Sequence, residues 1–336
     1  MAGLTPAALK VAAHPRPCPL CGGGAHEVVG TRDRGGAPLR TVMCRGCGHV
    51  FTNPAPNEAE LAAYYAERYR RDYKGVLTPK PKHVLRAGQR ALERLARLRP
   101  YLPPPATVLD VGAGGGEFAY LLARAGYAVV GVEPNAGYAA FARQSYGLDI
   151  RAATLEQTDF DAATFDAVTL HHVLEHVAEP RAALARFRRW LKPGGLIVVE
   201  VPNVLSWFHA PHRRFHAAHL HTFHAAGLAD LFANAGFAVA DLTITPGPAH
   251  LNIVARATAA APPAPVWRSA AAAEVAAHFR RHTALTHITS GMALRRLWGN
   301  ALRPWRERRA LKALGATAGA REILDRLYRP ALSPSP

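Results

Sequence analysis

The stretch Val108-Leu-Asp-Val-Gly-Ala-Gly-Gly-Gly-Glu-Phe118 decides how the rest of the chain reads. Thr107 to Val111 is a short apolar run of strand type. Phe118 to Arg124 has helical spacing, and four glycines lie between them. Gly112, Gly114, Gly115 and Gly116 let the backbone turn sharply and approach a ligand, because no Cβ intervenes. The turn departs from the dinucleotide fingerprint G-x-G-x-x-G, which needs glycine where Glu117 stands. Asp110 at the strand end and Glu117 beside the turn would repel a pyrophosphate. They suit a ligand that carries a cationic amino group and a ribose.

Outward from the turn, Tyr127 to Val132 is a second apolar strand ending in Glu133, 21 residues after Gly112. A carboxylate at the end of the neighbouring strand can accept ribose hydroxyls. The turn Asp110-x-Gly-x-Gly-x-Gly116 resembles the first motif of the class I S-adenosylmethionine-dependent methyltransferases. Further likeness follows in order. Leu155 to Asp159 stands where that family contacts adenine. Phe165 to His176 is similar to its fourth strand and following loop, and Leu191 to Asn203 to its turn into strand five. Phe237–Thr245 and Leu251–Ala257 would be its closing antiparallel pair. The resemblance implies an α/β fold with a Rossmann-like seven-stranded sheet whose last strand is antiparallel. It also implies S-adenosylmethionine as cofactor, held by Asp110, Gly112, Gly114, Gly116, Glu133, Leu155 and His171.

All four cysteines fall in one pattern, Cys18-Pro-Leu-Cys21 and Cys44-Arg-Gly-Cys47, with Gly22 and Gly48 directly behind. Two such knuckles joined by a hairpin read as a closed tetrahedral zinc site of structural type. Val28–Thr31 and Leu39–Met43 are the expected strands, with a turn over Asp33–Gly36. Disulfides are the competing reading. They conflict with the expected compartment, because Met1 to Pro17 lacks a signal-peptide core and no apolar run approaches the roughly 20 residues of a membrane helix. The expectation is a cytoplasmic protein, with a basic tail able to touch the inner membrane.

The 336 residues carry a formal charge of +17, unevenly spread. Residues 1–107 hold 17 Lys and Arg against 7 Asp and Glu, and residues 262–336 hold 13 against 4, whereas 108–261 hold 11 against 13. Basic flanks around a near-neutral centre can face nucleic acid, anionic lipid or phosphorylated substrates, or simply solvent. The expected organisation is a zinc ribbon at 16–52, a helical linker or cap at 53–100, the cofactor-binding core at 101–258 and a helical basic tail at 266–330. Residues 1–15 read as loose. Asn57–Arg71 reads as a helix bearing Tyr64, Tyr65 and Tyr69, and His83–Arg99 as an amphipathic helix with Leu85, Leu92 and Leu95 inward. In the tail, Leu294, Leu297, Trp298, Ala301, Leu302 and Trp305 form one helical stripe. Arginines lie off the stripe. It suits a membrane interface, packing on the core, or a homo-oligomer, and breaks are expected near Gly291, Pro304 and Gly315.

Methyl transfer needs alignment and, for a hydroxyl acceptor, removal of a proton. His171 and His172 lie in the loop that opens onto the methyl group in the resembled fold. The segment His172-Val-Leu-Glu-His176 is similar to the Glu-x-x-Glu-His loop of ubiquinone-pathway O-methyltransferases, with His172 in place of the first glutamate. Glu175 and His176 can equally brace the next helix. Between residues 205 and 224 lie His209, His212, His216, His219, His221 and His224. An insertion there covers the acceptor pocket in the resembled fold, which makes His219 and His221 candidates beside His171 and His172. The ribbon and the Tyr64-Tyr65 region resemble methyltransferases of bacterial sugar and polysaccharide biosynthesis. Nucleotide-sugar C-methyltransferases of that kind have a second large C-terminal domain and a Glu-His pair, whereas here about 75 residues follow the core and Ala218 precedes His219. The expected reaction is therefore O-methylation of a sugar, polysaccharide or secondary metabolite. The alternatives are an RNA base methyltransferase of ribosomal type and a cofactor-binding regulator without turnover.

Overall fold

A computed structural model describes residues 15–56, 79–245, 249–268, 270–315 and 319–332. Residues 1–14, and the segment holding Tyr64, Tyr65 and Tyr69, lie outside the described residues. Contacts divide the chain into two compact units. One comprises Met1–Leu61, Leu170–Arg189 and Ile197–Leu297; the other comprises Ala62–Thr169, Trp190–Leu196 and Trp298–Pro336.

The seven-stranded sheet contains β4 (Thr107–Val111), β5 (Ala128–Val132), β6 (Asp149–Arg151), β7 (Phe165–His171), β8 (Leu191–Pro202), β10 (Phe237–Ile244) and β11 (His250–Ala257). Its order is β10-β11-β8-β7-β4-β5-β6. β4, β5 and β6 run parallel, with Thr107 opposite Ala128 and Val130 opposite Asp149. β10 and β11 pair antiparallel from Phe237–Ala257 to Ile244–Leu251. This is the expected mixed sheet with an antiparallel last strand. Val108, Leu109 and Val111 are buried on both faces of β4, as a covered parallel strand requires.

A second, antiparallel sheet has the order β1-β2-β3-β9, from β1 (His26–Arg32), β2 (Pro38–Cys44), β3 (Val50–Thr52) and β9 (His221–Thr222). The hairpin and its turn follow the sequence pattern. The fourth strand does not, because β9 comes from the histidine-rich segment and pairs Val50 with Thr222 and Phe51 with His221. Apolar packing supports the pairing. Leu39, Met43 and Val50 share one core cluster with Val204, Phe215 and Val275. The Phe215 ring lies so close to Gly30 that a Cβ there would sit 2.5 Å from it. The small sheet and the histidine-rich segment therefore form one packed body.

In the other unit, α1 (Pro81–Leu98) buries Val84, Leu85, Ala91, Leu95 and Leu98, while Leu92 is only half-buried. The last helix, α9 (Ala320–Leu332), returns to pack on α1 and on α2 (Glu117–Arg124). Ile323, Leu324 and Tyr328 are buried there, and the Tyr328 hydroxyl donates to the Glu117 carbonyl at 2.8 Å. Gly88 makes the close approach possible. A Cβ on it would lie 2.6 Å from Leu324 Cδ2 and 2.7 Å from Leu327 Cδ2. Gly88→Val is expected to destabilise the protein by about 1–3 kcal/mol through overpacking, read as a fall in denaturant midpoint at unchanged slope.

Between them, α8 (Met292–Ala313) runs unbroken through Pro304, which corrects the break expected there. The breaks near Gly291 and Gly315 do fall between helices.

Candidate functional site

The glycine turn adopts the backbone its composition demands. Gly112, Gly114 and Gly116 have φ of 72°, 59° and 84°, the left-handed region that side chains disfavour. Gly112 and Ala113 donate to the Val132 carbonyl at 2.7 and 3.0 Å, which ties the turn to the end of β5. Gly114 N–H donates to Glu133 Oε2 at 2.8 Å, and Asn135 N–H to Glu133 Oε1 at 3.1 Å. Glu133 is buried and held by these two backbone donors. Asn135 also caps α3 (Ala136–Tyr146) by accepting from Tyr138 N–H.

Asp110 is buried, and Thr169 Oγ1 donates to its Oδ1 at 2.8 Å. Burial raises its pKa to about 6, against the opposing hydrogen bond from Thr169. A buried carboxylate held this way is relieved by a nearby cation. Gly116 cannot gain a side chain without meeting Ala142 Cβ at 2.7 Å, and a Cβ on Gly115 would meet the Glu117 carboxylate at 2.7 Å. The donor set fits S-adenosylmethionine: two anchored carboxylates for an ammonium and a diol, and a backbone turn with four glycines in five residues. Leu155 is buried just beyond β6, with its carbonyl accepting from Thr158 N–H.

A second cluster belongs to the other unit. His171 ends β7, half-buried, and His172 follows with φ of 58°. A non-glycine residue in that region costs of order 1–3 kcal/mol and persists only when its surroundings fix it. Three bonds do so here. His172 N–H donates to the Glu200 carbonyl at 2.8 Å, its Nδ1 lies 3.2 Å from Glu175 Oε1, and its Nε2 lies 3.2 Å from Glu200 Oε1. His250 Nδ1 stands 3.6 Å from the same Glu200 oxygen. Burial alone would lower the His172 pKa, but the hydrogen bonds to Glu175 and Glu200 override it and raise the pKa to about 9. At neutral pH, His172 is thus an imidazolium bridging two carboxylates. Its folded pKa exceeds the unfolded value, so its stabilisation is full below about pH 6.5 and fades as pH rises through about 9. The melting-temperature gap between wild type and His172→Gln is expected to close over that window.

The histidine-rich segment divides. His176 Nδ1 donates to the Ala218 carbonyl at 2.7 Å, and its ring meets His219 edge-on at 4.9 Å. Burial holds His219 well below the ordinary histidine range, and the neighbouring His176 and His216 push the same way. His219 is therefore a neutral imidazole. His221 is fully buried in β9, with its Nδ1 2.9 Å from His49 Nε2. His224 caps α5 (Ala225–Asn234), accepting from Gly227 N–H at 3.0 Å while its other nitrogen donates to the Cys47 carbonyl at 3.1 Å. His209 lies 3.1 Å from Arg296 Nη1, and His212 is exposed.

Among the described residues, two triads offer metal-donor geometry: His172, Glu200 and His250, and Glu175, His176 and His219. Within each, the donor atoms lie inside 4.8 Å. Glu200 and His250 were not singled out from sequence. A glutamate inside the apolar run Val198–Val201 is the one signal that could have marked Glu200.

The four cysteines converge with all sulfurs within 4.8 Å of one another. Cys18 and Cys47 sulfurs lie 3.7 Å apart, and those of Cys21 and Cys44 lie 3.5 Å apart. A disulfide needs about 2.05 Å, whereas tetrahedral zinc sets its sulfurs about 3.8 Å apart. Gly22 and Gly48 turn at φ of 77° and 75°, donating back to the Cys18 and Cys44 carbonyls. Hydrogen bonds from Cys18 and Cys47 pull Cys44 far down, while the bond to Cys44 pushes Cys18 up to about 12. Four thiolates cannot coexist this closely without a cation.

Residues 83–242 match a family model described as "Methyltransferase domain". The ubiquinone biosynthesis O-methyltransferase of Caulobacter vibrioides is 42% identical over 103 residues, 29% of this chain and 41% of that protein. A probable S-adenosylmethionine-dependent methyltransferase of Mycolicibacterium smegmatis is 30% identical over 135 residues, 40% of this chain and 52% of that protein. The chain thus spans about half or less of the length of these curated relatives. A solved S-adenosylmethionine-dependent methyltransferase from Mesorhizobium loti covers 49% of this chain and 99% of its own, at 18% identity and a TM-score of 0.44. Residues 83–242 are thus similar to methyltransferase domains, including ones named as S-adenosylmethionine-dependent.

Proposed function

We propose that the protein methylates a hydroxyl of a small molecule or glycan, most simply a sugar, a polysaccharide or a secondary metabolite. The observation that carries this reading is the pair of anchored carboxylates, Asp110 and Glu133, around three left-handed glycines. S-adenosylmethionine would supply the electrophilic methyl group. Glu133 would take the ribose hydroxyls, Asp110 would favour the ligand's positive charge, and Leu155 and His171 would complete the contact. As the acceptor oxygen bonds to carbon, its proton must leave. His219 is neutral and can accept it. His172 already holds a proton at neutral pH, so it serves as base only as pH approaches 9. Its bridge to Glu175 and Glu200 would otherwise orient the acceptor. Relatives named as O-methyltransferases support a hydroxyl acceptor.

We further propose that Cys18, Cys21, Cys44 and Cys47 bind one structural zinc. Four protein ligands leave no open position, so the metal would hold structure and not react. Against an RNA substrate, Phe51 is 1% exposed and packs between the His26 and His49 rings, so the ribbon does not offer it for base stacking. A methyl-label transfer screen over nucleotide sugars, glycans, glycolipids and bulk RNA tests the reading. Label is expected in a glycan or small-molecule hydroxyl. Label in RNA alone would overturn it.

A further inference from the structure

The helix α8 is turned inside out. Its one buried side chain is charged: Glu307, 9% exposed, which accepts from Arg86 Nη2 at 2.9 Å and from Arg86 Nε. Its large apolar side chains face water. Trp298 is 65% exposed and Trp305 58%, with Leu302 between them and Leu294 and Leu297 on the same stripe one turn earlier. A lone exposed leucine needs no explanation, but a contiguous stripe with two tryptophans marks an interaction surface.

We infer that this face of α8 docks on an anionic phospholipid bilayer. The charge around the stripe selects that occupant. Arg303, Arg306, Arg308, Arg309 and Lys312 are all exposed on the helix, and its one carboxylate, Glu307, is already paired with Arg86. The Arg309 guanidinium lies over the Trp305 ring, 5.5 Å from its centroid. A second copy of this chain would bring an equal set of cations against the first, and the two would repel. Anionic headgroups complement them, each surface cation contributing to the attraction. Tryptophans and long cationic side chains suit the boundary between headgroups and acyl chains. Among the described residues, no helix is long and apolar enough to cross a membrane, so the contact lies in the interface plane. The stripe is legible in the sequence; its exposure, with Glu307 turned inward, is what the fold adds.

The test is co-sedimentation of the full chain with vesicles of phosphatidylglycerol and phosphatidylcholine, against phosphatidylcholine alone. Binding is expected only to the anionic vesicles, weakened by salt and accompanied by a blue shift in tryptophan emission. Trp298→Ser with Trp305→Ser should weaken it by about tenfold or more, since apolar burial supplies the rest of the attraction. Unchanged zinc content and S-adenosylhomocysteine affinity would show that this variant is folded. Failure of the wild type to bind anionic vesicles overturns the inference. So does undiminished binding by the double variant, or a stable dimer in sedimentation velocity that depends on the same tryptophans. None of these outcomes bears on methyl transfer, which is read separately.

Discussion

Replacing His172 or His219 by alanine is expected to lower turnover on the true acceptor by about 10²–10⁴-fold for at least one of the two. That is the usual contribution of a base within hydrogen-bond reach. Cofactor affinity should stay within a few-fold, because neither residue belongs to the glycine turn. The pH profile identifies which imidazole acts. His172 is held by Glu175 and Glu200 with a pKa of about 9, so a His172 base gives activity that climbs toward pH 9. His219 is half-buried, and desolvation, with His176 and His216 beside it, holds it well below the ordinary histidine range, so a His219 base gives a flat profile near neutrality. His172→Gln removes the climb without removing the steric bulk. Normal turnover in both alanine variants would assign the histidines to orientation of the segment. Alignment alone would then suffice, as for an acceptor that is already nucleophilic.

Stripping the metal is expected to have the second large effect. Structural zinc contributes apparent binding energies of about 10–16 kcal/mol in small metal-dependent domains, far more than the short β3 strand can supply alone. Freshly purified protein should carry about one zinc per chain. Chelation, or Cys44→Ser, should release amide protection not only along β2 and β3 but also at His221 and Thr222. The reason is the pairing of β3 with β9 and the link from Cys47 through His224 to α5. Because β9 follows His219 by two residues, loss of zinc should also lower turnover without any change in the glycine turn. Metal-free protein with free thiols and full protection in β2 and β3 would contradict this.

The parts of the fold legible in the sequence were those set by local chemistry. The left-handed glycines, Glu133 one strand on and the cysteine knuckles follow from spacing, and the β10–β11 pair from the family resemblance. What stayed hidden required partners far apart in the chain. His49 and His221 meet across 172 residues, and two residues of β9 give no periodic signal. Glu200 and His250 converge on His172 only once β8 and β11 lie side by side in the sheet. Gly88 looks like a weak point in a helix until α9 packs against it. Pro304 sits inside a helix that continues past it, a position where the local preference for a break is overridden.

The central claim is that the turn after β4 binds S-adenosylmethionine, and titration calorimetry with S-adenosylhomocysteine tests it most directly. One site per chain is predicted, sharply weakened by Glu133→Ala and by Gly114→Arg, which places a side chain where the backbone has φ of 59° and where Gly114 N–H meets Glu133. Unchanged affinity in Gly114→Arg would contradict the assignment of this turn, and with it the reading of the whole domain.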